Sequence, residues 1–133
     1  MISHLTQGSL CAHYKGRKML AEIRQREGII VIRPTGRMIG AANAELRQQI
    51  TEELEEHFEA PKVLFNLEAV TRMDSSGLGT LVSAHVTTSR KGGRTALVNA
   101  GAHIRNLLVL GRLMTVFETY ETEDEAVLAM TAE

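Results

Sequence analysis

A chain of 133 residues, 44% hydrophobic but only 4% aromatic, has room for one domain with an aliphatic core and no need of covalent staples. Its 15 Lys and Arg against 16 Asp and Glu leave a net charge of −1, which argues against a dedicated nucleic-acid binder. The one cysteine, Cys11, excludes an internal disulfide; there is no apolar run of membrane-spanning length and no apolar leader, so the expected location is the cytoplasm, without direct membrane insertion.

Charge is distributed unevenly. Residues 1–18 carry Lys15, Arg17 and Lys18 with no acid, and residues 72–112 carry Arg72, Arg90, Lys91, Arg94, Arg105 and Arg112 against Asp74 alone. The stretch 118–133 holds Glu118, Glu121, Glu123, Asp124, Glu125 and Glu133 with no base. Solvated helix ends and turns account for most such runs. The sharper alternative is a basic surface around Ser75 that meets an acidic partner or supports a phosphate.

In chain order, residues 1–18 show no period of 2 or 3.6 and read as a tail or extension, leaving 19–133 as the domain. Leu20–Gln25 alternates as a first strand, Glu27-Gly28 is a turn signal with Arg26 and Glu27 in the hairpin, and Ile29-Ile30-Val31-Ile32 is a β-branched run typical of a buried strand. Pro34–Gly40 reads as a loop. A helix follows over Ala42–Phe58, with Leu46, Ile50, Leu54 and Phe58 inward and Glu52, Glu53, Glu55, Glu56 and Glu59 on a solvated face. Val63–Leu67 is a third strand that runs through a loop to Asp74-Ser75-Ser76-Gly77. The second helix spans Ser76 to about Arg90, with Leu78, Leu81, Val82 and Val86 as its stripe. Lys91-Gly92-Gly93-Arg94 is a turn without the spacing of a phosphate-binding P-loop. Thr95–Val98 is a strand, Ala102–Leu110 a helix with Ile104, Leu107 and Leu108 inward and Gly111 as its cap, Met114–Thr119 a strand, and Glu123–Met130 a last helix on Ala126, Val127 and Met130. The order β-β-α-β-α-β-α-β-α implies a single α/β domain with a largely parallel, mixed sheet flanked by helices.

Few residues are arranged for catalysis. No two of His4, His13, His57, His85 and His103 lie at i, i+3 or i, i+4, and no Cys or carboxylate completes a familiar metal set, so no metal is expected. There is no Gly-x-Ser-x-Gly elbow and no evident base for Ser75 or Ser76. The chain is not read as an enzyme, and no cofactor is expected.

One stretch organises the rest. Asp and Ser at a helix start accept the orphan amides of the first turn, and that positive end also favours a phosphate. Leu67-Glu68-Ala69-Val70-Thr71-Arg72-Met73-Asp74-Ser75-Ser76-Gly77-Leu78-Gly79 goes further: it resembles the signature of the STAS domain, in particular the anti-sigma factor antagonists, with similarity from about residue 22 to about 130. The resemblance implies the STAS fold and a phosphorylatable serine directly after the Asp, here Ser75, with Ser76 the second choice. It implies a partner, an anti-sigma factor of the ATP-binding serine kinase type, bound through Met73, Asp74, Ser75, Ser76, Gly77, Leu78 and Gly79 together with Gly36, Arg37 and Ile39. The unphosphorylated domain would free the sigma factor, and a phosphate on Ser75 would reverse this by charge repulsion, regulating transcription. Family members commonly read Gly-x-Leu-Asp near the second strand, and here Gly36-Arg37-Met38-Ile39 puts Ile39 at the Asp position, with Asn43 the nearest polar substitute. That departure keeps open a non-switching scaffold subunit of a signalling complex or a lipid-transport ATPase. A small nucleotide-binding or hydrolytic domain built on the Ser75/Ser76 loop ranks well behind both.

Overall fold

The computed structural model describes residues 13–14, 17–18, 21–40, 42–57 and 59–132. Two short strands, β1 (His13–Tyr14) and β2 (Arg17–Lys18), pair antiparallel with each other. The remainder of the expected extension, Leu20 and Phe58 lie outside the described residues.

β3 (Ala21–Arg26) and β4 (Ile29–Pro34) form an antiparallel hairpin with Arg26 opposite Ile29. The loop is Glu27-Gly28, the turn signal read in the sequence, with φ of 52° and 83°, while Arg26 belongs to the strand rather than the turn. Two consecutive left-handed residues give a turn whose twist matches that of the flanking strands. Then follow β5 (Gly36–Met38), α1 (Ala42–His57), β6 (Lys62–Asn66), β7 (Val70–Met73) and α2 (Ser75–Arg90). The chain finishes with β8 (Arg94–Val98), α3 (Ala102–Leu110), β9 (Glu118–Tyr120) and α4 (Glu123–Thr131). The main sheet has the order β3-β4-β6-β8-β9, antiparallel at β3–β4 and parallel elsewhere, each parallel step made by a helical crossover.

Both faces of this sheet are covered, which is why its strands read as unbroken apolar runs. Ile30, Ile32, Val63, Phe65 and Leu97 pack with residues of α1, α2 and α3 on one face. The alternate residues, Ile29, Val31, Leu64, Ala96 and Val98, meet Ala126, Val127 and Met130 of α4 on the other. Three helices on one side and one on the other follow from that alternation.

Several expectations need correction. The two stretches read as loops contain β5 and β7, which pair parallel with each other. Strands of three and four residues show too little alternation to be seen in sequence, and only their mutual pairing makes them strands. Val86 is 45% exposed, because eight residues on from Leu78 it has turned about 80° around the helix. The buried face of α2 uses Ala84, Thr80, Thr87 and Thr88 instead. Glu53 is buried, not solvated: α1 packs on α2 as well as on the sheet, so Gln49 and Glu53 widen the stripe of Leu46, Ile50 and Leu54. Leu107 is half-buried rather than fully inward. The last strand is confined to Glu118–Tyr120, and the residues before it form turns that bury Phe117 and expose Met114 and Val116.

Candidate functional site

The β5/β7 ladder sits at the foot of α2 and positions its first turn. Arg37 is opposite Arg72, and Met38 opposite Met73, with a register shift after Gly36. Gly36 has φ of +85° and donates its amide to Ala69 O at 2.9 Å, a backbone conformation that favours glycine. The ladder buries Met38 and Met73 and turns Arg37 and Arg72 outward. Asp74 N donates to Met38 O at 3.3 Å, carrying the pairing one residue further, up to the helix.

Asp74 is the N-cap of α2. Its Oδ1 accepts from Ser76 N at 3.0 Å, from Gly77 N at 3.1 Å and from Ser76 Oγ at 2.6 Å. Its Oδ2 accepts from Gly40 N at 3.2 Å, which ties the loop before α1 to the start of α2. The Ser76 hydroxyl, then the Gly77 amide, lead the bonds that hold the Asp74 carboxyl below its ordinary value, so it stays charged. The first-turn amides of Ser76 and Gly77 are thus already occupied by this carboxylate.

The two serines differ in kind. Ser76 is half-buried, its Oγ donating to Asp74 and accepting from Asn43 Nδ2 at 3.3 Å. Asn43 is 2% exposed and also donates to Gly40 O, so it does supply a polar group to this loop, through Ser76. Ser75 is exposed, and its hydroxyl has no hydrogen-bond partner among the described residues. Ile39 is half-buried beside Gly40.

The remaining expected site residues divide by burial. Met73, Gly77 and Leu78 are buried and support the loop from beneath. A Cβ on Gly77 would lie 2.4 Å from Met38 O, so this glycine answers a close approach within the chain itself. Gly36 is half-buried and Gly79 half-buried, while Arg37 is exposed. A Cβ on Gly79 would meet Arg47 Nη2 at 2.9 Å. Arg47 carried no signal in the sequence beyond its place on a polar stretch of α1, and only the packing of α1 on α2 brings it here.

The basic run 72–112 does not form one surface. Arg90 faces Glu55 at 3.9 Å, Arg94 bonds Glu118, and Lys91 Nζ donates to Leu54 O at 2.8 Å and Glu55 O at 3.0 Å near the carboxyl end of α1. The acidic run is committed too: Glu123 bonds Arg24 and Arg26 at 2.7 Å each, and Asp124 bonds Arg26. Among the described residues no group of three or more His, Cys, Asp or Glu is placed to hold a metal ion, and no helix is long and apolar enough to cross a membrane.

A mostly parallel sheet with three helices on one face, one on the other, and a capped Asp-Ser-Ser-Gly helix start defines a small α/β module that presents one polar loop. The STAS domain family matches residues 21–126, and the chain belongs to it. It is 24% identical over 105 residues to the anti-sigma F factor antagonist of Paenibacillus polymyxa, covering 79% of this chain and 89% of that protein. Among solved structures it is similar to the anti-sigma factor antagonist SpoIIAA in its unphosphorylated form, with a TM-score of 0.73 and 23% identity over 85% of this chain and 97% of that one. A putative anti-sigma factor antagonist from Thermotoga maritima gives a TM-score of 0.75 at 21% identity, over 81% and 92% of the two chains. At such identities these structures speak to the fold.

Proposed function

We propose that this protein is an anti-sigma factor antagonist whose partner is an anti-sigma factor of the ATP-binding serine kinase type, and that Ser75 is the switch. The observation that carries this reading is the contrast between the serines: Ser76 is tied to Asp74 and Asn43, whereas Ser75 is exposed with its hydroxyl uncommitted. A kinase can reach Ser75 without breaking any bond of the fold. In the transfer, Ser75 Oγ forms a bond to the γ-phosphorus of the partner's ATP, the bridging bond to ADP breaks, and the hydroxyl proton is released. Asp74, held charged and adjacent, lies where it can orient the hydroxyl or a nucleotide-bound metal ion of the partner. The new group adds roughly −1.5 to −2 charge at the centre of the contact surface, next to an existing carboxylate, and repels the partner. The surface itself comprises Arg37, Ile39, Asp74, Ser75 and Gly79, supported by buried Met73, Gly77 and Leu78.

The test combines the purified chain with the kinase-type anti-sigma factors of the source organism, with and without ATP, and maps any phosphate by mass spectrometry. Phosphate on Ser75, loss of the complex with Ser75→Asp and retention with Ser75→Ala are the expected results. Tight binding by Ser75→Asp overturns the switch. Ile39 favours a second reading, a scaffold that binds without switching, because an apolar side chain stands where the resemblance implies a carboxylate. In that case Ser75→Asp and Ser75→Ala bind equally, and Ile39→Asp does not speed phosphorylation.

A further inference from the structure

At the positive end of α2 an anion position is already filled. The amides of Ser76 and Gly77 already donate to Asp74, and so does that of Gly40, so the Asp74 carboxylate itself fills the anion position. A phosphate on the neighbouring residue would meet a fixed negative charge and needs a cation from elsewhere. α1 provides one. The Arg47 guanidinium lies along α2 in the space that a side chain at Gly79 would fill, with Nη2 2.9 Å and Cζ 4.0 Å from that residue's would-be Cβ. Ser75 and Gly79 are both within α2 and four residues apart, so they share a face with about 5–6 Å between their β-positions. Arg47 is exposed and makes no ion pair with a described residue, so its charge is uncommitted.

Resting on the reading of Ser75 as the phospho-acceptor, we propose that Arg47 is the side chain that holds the phosphate on Ser75. Its planar fork can pair two phosphate oxygens and offset the repulsion from Asp74. Gly79 is the seat that admits it. Arg37 and Arg72, in register on the β5/β7 ladder and both exposed, are the competing cations near this loop.

The experiment uses the full chain with phosphoserine incorporated at position 75 during translation, and follows the phosphate by phosphorus NMR across pH. The second ionisation of the phosphate should rise by about half a pKa unit, a threefold change in proton affinity, on going from wild type to Arg47→Ala. Arg47→Lys should fall between the two, because it keeps the charge and loses the fork. Gly79→Ala should reproduce part of the rise by displacing a guanidinium that is still present. If Arg47→Ala titrates as wild type does, or if Arg72→Ala produces the larger shift, the assignment to Arg47 is overturned. The measurement needs no partner protein. A shift with no loss of partner on phosphorylation would keep Arg47 as the phosphate holder and discard the switch, whereas loss of partner with no shift would discard Arg47 alone.

Discussion

The sharpest local test of the site's architecture is Gly77→Ala. A Cβ at Gly77 would lie 2.4 Å from Met38 O and 2.8 Å from Met73 Cγ, whereas ordinary contact begins near 3.4 Å. The Met73 side chain can swing aside. The Met38 carbonyl cannot, because it belongs to the β5/β7 ladder and accepts the Asp74 amide at 3.3 Å. About 1 Å of movement between the first turn of α2 and the ladder is therefore required, a strain typical of overpacked sites that cost about 1–3 kcal/mol. Replacing glycine by alanine in a helix returns about 0.8–1 kcal/mol, so the net loss should be roughly 0–2 kcal/mol, and Gly77→Ala should lie about 1–3 kcal/mol below a helical Gly→Ala change that meets no backbone. Gly79→Ala is the matched control: it brings the same helical gain and meets only the mobile tip of Arg47. Its Tm should equal or exceed that of wild type. Thermal unfolding by circular dichroism, confirmed by urea titration, separates the two. Gly77→Ala as stable as Gly79→Ala, or more stable, would refute the close approach of Met38 and with it the account of how the loop is held.

Ser76→Ala removes the hydroxyl shared by Asp74 and Asn43 and should cost about 1 kcal/mol, while Ser75→Ala should stay within about 0.5 kcal/mol of wild type; equal losses in urea unfolding would contradict the division of labour between the serines. Burial alone would push the Glu123 carboxyl up, but hydrogen bonds from Arg24, Arg26 and Asn66 outweigh it and hold the group below its ordinary value of 4.5. A depressed carboxylate contributes stability above its ordinary value and loses it as the pH falls through the depressed one, so Glu123→Gln should be less stable than wild type by roughly 1 kcal/mol at neutral pH. That gap should close in acid, below about pH 4.5, and a gap independent of pH would rule out the ion pair as its source. Phe65 is fully buried on the three-helix face of the sheet, and Phe65→Ala should cost about 3–5 kcal/mol in the same unfolding assay.

The sequence by itself determined the layers of this protein. Unbroken β-branched runs at Ile29–Ile32 and Val63–Leu67 meant strands covered on both faces, and stripes such as Leu46, Ile50 and Leu54 meant helices to cover them, because hydrophobic periodicity is a local consequence of burial. The Asp74-Ser75-Ser76-Gly77 cap was equally legible, since a side-chain oxygen reaches amides only two or three residues away. What the chain could not disclose was everything that depends on elements distant in sequence. β5 and β7 are strands only because each supplies the other's hydrogen bonds across more than thirty residues. Glu53 is buried and Val86 exposed because α1 and α2 pack on each other as well as on the sheet. The basic run after Arg72 dissolves into separate ion pairs and helix ends once its partners are in place. The serines are adjacent and chemically identical in sequence, and the structure separates them by environment: the Ser76 hydroxyl is tied locally to Asp74 and, from α1, to Asn43. Arg47 reaches the same loop by the same route, through the contact of two helices.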